Sequence, residues 1–136
     1  AIAAGSTGSW FNPATAGQGF LADVRGDDPF LFVAWFTYAT ATPTAAKVGS
    51  PEQRWLTLQG RYAGTLAELP IFLTSGGVFD TAHATSTRAV GSATFEQTSC
   101  TEARITYSLP DEHLHGRIPL VRLLAPSSGS CAPAAP

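Results

Sequence analysis

The sequence predicts an all-β fold: about eight short antiparallel strands closing into an up-and-down barrel, with a β-sandwich as the alternative and one disulfide. Three observations carry this. Sustained apolar spacing at i, i+3, i+4, i+7 is missing beyond a turn or two, so helices have no amphipathic face to bury. Ten prolines and thirteen glycines punctuate the chain at short intervals. The segments between them are rich in Thr, Val, Phe, Tyr and Trp, which suit a pleated surface.

The strands follow in order. The first covers residues 9–12 and breaks at Pro13 and a small-residue turn, Ala14 to Gly17. The second covers 19–25, with Phe20, Ala22 and Val24 on one face, and ends at Gly26-Asp27-Asp28-Pro29, a turn by its chemistry. The third, 30–40, alternates Phe30, Phe32, Ala34, Phe36 and Tyr38 with Leu31, Val33, Trp35 and Thr37. Both of its faces are apolar, so it is central or presents an interface. Residues 41–53 form a loop long enough to be functional. The fourth strand, 54–62, sets Leu56, Leu58 and Tyr62 against Trp55, Thr57 and Gln59. The fifth, 65–74, contains Pro70, which marks an edge or a bulge. Ser75-Gly76-Gly77 turns the chain, and 80–87 is polar loop. The sixth, seventh and eighth strands cover 88–97, 103–109 and 115–124, the last with Ile118, Leu120, Arg122 and Leu124 on one face. A closed barrel removes the free strand edges that a surface poor in charge leaves open to aggregation.

Composition bounds the rest. At 136 residues the chain fits a single β domain over 1–136, with short extensions at 1–7 and at the Pro/Ser/Ala-rich 125–136. Charged residues are 13% of the chain, about half the usual share. The net charge of −2 offers no footprint for nucleic acid or an anionic membrane. Spans of 18 or so uninterrupted apolar residues, as a transmembrane helix needs, do not occur. Methionine is absent and the chain opens Ala1-Ile2-Ala3-Ala4, which reads as removal of a signal peptide and hence secretion. Cys100 and Cys131 are expected to pair in an oxidising compartment, closing a loop of about 30 residues worth about 3–4 kcal/mol.

The run Gly8-Ser9-Trp10-Phe11-Asn12-Pro13, then Gly17-Gln18-Gly19-Phe20 and Leu31-Phe32-Val33-Ala34-Trp35-Phe36-Thr37-Tyr38, resembles a β-domain family of secreted proteobacterial proteins. The resemblance continues through Trp55, Gly60, Thr74-Ser75-Gly76-Gly77-Val78-Phe79-Asp80, Gly91 and Phe95. It closes with Cys100, Tyr107, Gly116-Arg117-Ile118-Pro119-Leu120-Val121-Arg122 and Cys131. It implies secretion and a β fold, and no activity. Over 39–50 the sequence departs from the family pattern, so no role of that segment carries over. Separately, Gly8-Ser9-Trp10 with a late Arg122 is similar to lipocalins and avidin-like barrels, which implies a Trp closing one barrel end under a stacked Arg.

Catalytic patterns are sparse. There is no Gly-x-Ser-x-Gly elbow, and Ser127 to Ser130 sit in the Pro-rich tail. Glycoside hydrolysis needs two carboxylates beside a sugar cleft, and Glu68, Glu96 and Glu102 read as solvated strand residues. His113 and His115 share a face if they lie on a strand, and His83 is a conceivable third metal ligand from a loop. The competing reading is a solvated turn at 110–116. Asp27-Asp28 is ordinary turn chemistry, short of the six or more oxygens calcium takes. No cofactor is expected.

Aromatics are the richest remaining signal, and the candidate ligand or interface residues are Trp10, Asn12, Gln18, Trp35, Tyr38 and Trp55. If Phe30, Phe32 and Phe36 point into the barrel, then Leu31, Val33 and Trp35 point out, and Trp35 with Trp55 makes an exposed patch. Such patches mark interfaces or sugar-stacking platforms. The expected function is a non-enzymatic extracellular binding or self-assembly module, its partner a glycan, a small apolar ligand or further copies of itself. Two alternatives stand beside it. One is a small-ligand carrier with a lipocalin-like or avidin-like cavity, for which Ala22, Ala34 and Ala93 leave room and Phe20, Phe32, Phe36 and Leu58 take it away. The other is a carbohydrate-binding module or hydrolase accessory domain.

Overall fold

The computed structural model describes residues 1–39 and 53–125. Eight antiparallel strands run β1 (Gly8–Phe11), β2 (Gly19–Arg25), β3 (Phe30–Tyr38), β4 (Gln53–Ala63), β5 (Leu66–Ser75), β6 (Ser86–Gln97), β7 (Glu102–Leu109) and β8 (Leu114–Arg122). Each pairs with the next, and β1 returns to β8 through Trp10 opposite Arg122 and Phe11 opposite Val121. The result is a closed up-and-down barrel rather than a sandwich. Among the described residues there is no α-helix, and no helix long and apolar enough to cross a membrane.

Strand alternation sorts the side chains. Phe20, Ala22 and Val24 of β2, Leu56 and Leu58 of β4, and Leu120 of β8 are buried in the barrel. On β3 the inward set is Leu31, Val33 and Trp35, while Phe32 and Phe36 face outward. This reverses the orientation weighed for β3 from the sequence. The cause is register: β2 and β3 pair Val24 with Leu31 and Ala22 with Val33, so the residues beside the buried members of β2 are buried too.

Pro70 of β5 lies opposite Ser92, one residue from a register shift at Ile71/Phe72, where β6 carries an extra residue between Ala89 and Gly91. The expectation of an edge or bulge therefore resolves as a bulge beside the proline, because a closed barrel has no edge.

Residues 1–7, expected as an extension, instead plug one end of the barrel. A 3-10 turn at Ala4–Ser6 brings buried Ser6 against buried Gln97, which accepts its hydroxyl hydrogen. Ile2 is 5% exposed and its N–H donates to Gly64 O at 2.8 Å. Trp10, 1% exposed, lies beneath this plug and donates from Nε1 to Ser6 O at 3.0 Å. The Arg122 guanidinium stacks on the Trp10 ring at 4.9 Å from its centroid. Cys100 lies in the turn between β6 and β7. Cys131, and with it the expected disulfide, lies outside the described residues, as do the C-terminal tail beyond Ala125 and most of the segment between β3 and β4.

Candidate functional site

The candidate residues divide between core and surface. Trp10 belongs to the plugged end. Trp35 is 6% exposed and packs in the core, its ring 5.0 Å from Phe20 and 5.5 Å from Tyr107. The expected outward Trp35 is therefore corrected to an inward one. Asn12 does local work: its Oδ1 accepts from Ala14 N at 3.0 Å and caps the 3-10 turn Pro13–Thr15. Gln18 Oε1 accepts from Thr37 Oγ1 at 2.6 Å, tying the turn before β2 to the end of β3.

Of the aromatic candidates, Tyr38 and Trp55 are the two that reach solvent, and Asn12 and Gln18 are half-buried. They do so with Phe32 and Phe36, for which the sequence also allows an inward orientation. Phe32, Phe36 and Tyr38 project in a row from β3, Leu21 lies beside them on β2, and Trp55 on β4 stands opposite Phe36. Phe36 owes its position to Gly19, the residue paired with it: a Cβ there would meet Phe36 Cζ at 2.9 Å, so the bare backbone gives the ring its seat.

Trp55, at 52% exposure, is the shared wall of two concavities. One, of about 410 Å³, is bounded by Gly17, Phe36, Thr37, Tyr38, Gln53 and Trp55. The other, of about 370 Å³, runs to the β5–β6 loop and its Val78 and Phe79. Phe79 is 97% exposed. Its loop is held by its own bonds: Thr81 N donates to Val78 O at 3.2 Å and Thr81 Oγ1 to Phe79 O at 2.9 Å. His83 Nδ1 lies 2.8 Å from Gly76 O and 3.1 Å from Ala84 O, so it donates to both carbonyls. Asp80 takes a left-handed φ of 47°, which a short polar side chain tolerates. In the sequence Phe79 belongs to the Thr74–Asp80 motif. Its signal was an apolar pair, Val78-Phe79, set between turn residues where no strand uses it.

The far end of the barrel from Trp10 is closed by charge. Arg54 forms a forked ion pair with Glu112, with Nη2 to Oε2 at 2.9 Å, and Arg88 lies 3.8 Å from Asp111. The Arg54 hydrogen bond holds the Glu112 carboxyl below its ordinary value, aided by the charges of Arg54 and Arg88 and opposed by partial burial. Under these groups, against Leu56, Leu73, Val90 and Leu109, the void is about 40 Å³. A ligand pocket takes about 300 Å³ or more. A broader, open hollow of about 460 Å³ lies on the wall of β5, β6 and β7, beside Glu68, Pro70, Ser92, Thr94, Thr106 and Ser108.

The three histidines do not converge on a metal site. His113 sits in the β7–β8 turn at φ 54°, off the strand, so it does not share a strand face with His115. Among the described residues no three His, Cys, Asp or Glu side chains cluster as ligands. Comparison with protein-family models, with curated proteins and with solved structures finds no match to this chain.

Proposed function

We propose that this chain is a non-enzymatic extracellular binding module whose working surface is the outer aromatic face of β3 and β4. The observation that carries the reading is the pairing of a filled interior with an apolar exterior. Phe32, Phe36, Tyr38 and Trp55 stand outward on adjoining strands, while large side chains occupy the inside. Scattered exposed apolar residues need no explanation, but a contiguous row of them marks a site of contact. The void of about 40 Å³ gives the carrier reading little support. Ionisable side chains at the ends and on the walls are spent on one another, as in Arg25–Asp28–Arg61 and Arg104–Glu96, which favours a binding role over an enzymatic one.

Trp55 supplies the test. Of three tryptophans, Trp10 and Trp35 are buried and Trp55 is open to solvent. Iodide should therefore quench Trp55 emission in the free protein, and engagement of the face should protect it. Cello-, chito- and xylo-oligosaccharides, small apolar molecules and the concentrated protein itself are the arms of the titration. Full iodide access in every arm overturns the proposal.

Secretion and a Cys100–Cys131 disulfide belong to the same proposal. Cys100 sits at the β6–β7 turn, and the bridge ties the C-terminal tail to it. The intact mass of the unreduced chain should rise by one hydrogen per sulfur on reduction, and stability should fall by about 3 kcal/mol. An unchanged mass refutes the bridge.

A further inference from the structure

We infer that the occupant of the aromatic face is a second copy of this chain, in a two-fold dimer where Phe79 of each copy seats in the groove between Tyr38 and Trp55 of the other. The inference rests on the reading of that face as the binding surface.

Four observations point to a second copy. First, the face carries both a projection and a recess. Phe79 stands clear of the surface at 97% exposure, and the groove of about 410 Å³ beside Trp55 has ample room for a phenyl ring. Second, the two share Trp55 as a wall, so they lie side by side. A projection and a recess adjacent on one face are what a two-fold interface requires, since each copy gives one and receives one. The axis then passes near Trp55.

Third, the projection is pre-organised. The Val78–Thr81 turn and the His83 bonds hold the loop in place, so little freedom is lost when Phe79 docks. Fourth, the area fits. Aromatic side chains offer about 150–250 Å² each, so Phe36, Tyr38, Trp55 and Phe79 present about 500 Å² at their observed exposures. Leu21, Phe32 and Val78 raise this to about 750 Å², against about 800 Å² per partner in a standard interface. A sugar stacks on one side of a ring and leaves the rest in water. An almost wholly exposed phenylalanine gains more from a recess that encloses it.

Sedimentation equilibrium of the full chain from micromolar concentrations to about 1 mM tests this. The expected result is a monomer–dimer equilibrium that stops at two. Phe79→Ser should weaken it about 100-fold or more, because each dimer loses two buried rings. Trp55→Ser should weaken it as well, and Glu68→Gln, on β5 and outside both concavities, should leave it unchanged. Phe79 is outside the core, so Phe79→Ser should melt at the wild-type temperature when both are diluted to where the wild type is monomeric, which excludes misfolding as the cause.

A monomer across the whole range overturns the inference. So does a dimer indifferent to both Phe79→Ser and Trp55→Ser, or open-ended growth beyond two. If the chain is monomeric but an oligosaccharide protects Trp55 from iodide, the dimer falls and the binding face stands. If it is monomeric and Trp55 stays open in every arm, both fall.

Discussion

Replacing Arg122 should loosen the plugged end of the barrel more than any other single charged residue. Its guanidinium does several jobs at once. Nη1 donates to Gly5 O at 3.0 Å, Nη2 to Thr7 O at 2.8 Å and Nε to Leu124 O at 3.1 Å, while its plane covers the Trp10 ring. Partial burial works against its charge, so these bonds are what retain it there. In Arg122→Met the stem still covers part of Trp10, but the Gly5 and Thr7 carbonyls lose their donors. Hydrogen bonds from a charged donor contribute about 1.5–3 kcal/mol each when buried, and these are partly solvated. The stacking adds about 0.5–1 kcal/mol. The net loss should be about 2–4 kcal/mol, a fall of roughly 6–15 °C in melting temperature for a chain of this size. Arg122→Lys keeps the charge but not the fork, and should cost about half as much. Urea titration and thermal melting read the loss, and a red shift of Trp10 emission locates it. An Arg122→Met melting temperature within about 2 °C of wild type would refute the reasoning.

Further outcomes follow from the same geometry. Gly91→Ala puts a Cβ 2.0 Å from Ser108 O, a backbone atom that cannot yield without parting β6 from β7; soluble, folded protein at wild-type stability would contradict the bulge. For Glu112 the folded carboxyl value is depressed, so its pairing with Arg54 stabilises fully above the ordinary 4.5 and is lost as pH falls through the lower folded value. Glu112→Gln should therefore flatten the acid limb of the stability–pH curve, measured by urea midpoints between about pH 2 and 6. The orientation of β3 is checked by a pair of variants. Phe32→Ser should change stability by under about 1 kcal/mol, whereas Val33→Ser, at a fully buried position, should cost about 2 kcal/mol or more. Equal costs would mean that β3 is turned the other way.

All eight strand positions were legible to within two residues because the turns announce themselves, whereas the strand order was not. The β2–β3 turn Gly26-Asp27-Asp28-Pro29 and the small-residue turn before Gly19 bracket β2 to the residue. The orientation of β3 was harder because both of its faces are apolar, so alternation alone carries no sign. The missing information was the turn length. Arg25 pairs with Phe30 across a four-residue turn, so partners on β2 and β3 differ in parity. Even-numbered Phe20, Ala22 and Val24 inside therefore demand odd-numbered Leu31, Val33 and Trp35 inside. That count was available in the sequence, and it would have placed Phe32 and Phe36 outside. The projection of Phe79 had only the signal of an apolar pair between turn residues, and the plug at 1–7 had none. Ala4-Gly5-Ser6 has no periodicity, and its value comes from Gln97 and Arg122, about 90 residues or more away in the chain.

Why the apolar residues of β3 lie outside at all follows from the size of the barrel. Eight strands enclose a space that side chains can just fill or that holds one small ligand, but not both. Here Trp10, Phe20, Trp35 and Phe95 share that space, and Trp10 meets Phe95 edge to face at 6.0 Å. Adding Phe32 and Phe36 to the same interior would overfill it, so the alternation sends them out. The chain then carries exposed phenylalanines on a surface where only 13% of all residues are charged, with little charge to keep copies apart. Outward aromatics on such a surface lower solubility unless something covers them. A cover that is itself a copy of the chain removes the exposed face from both molecules in one contact, and a two-fold interface closes on itself at two copies.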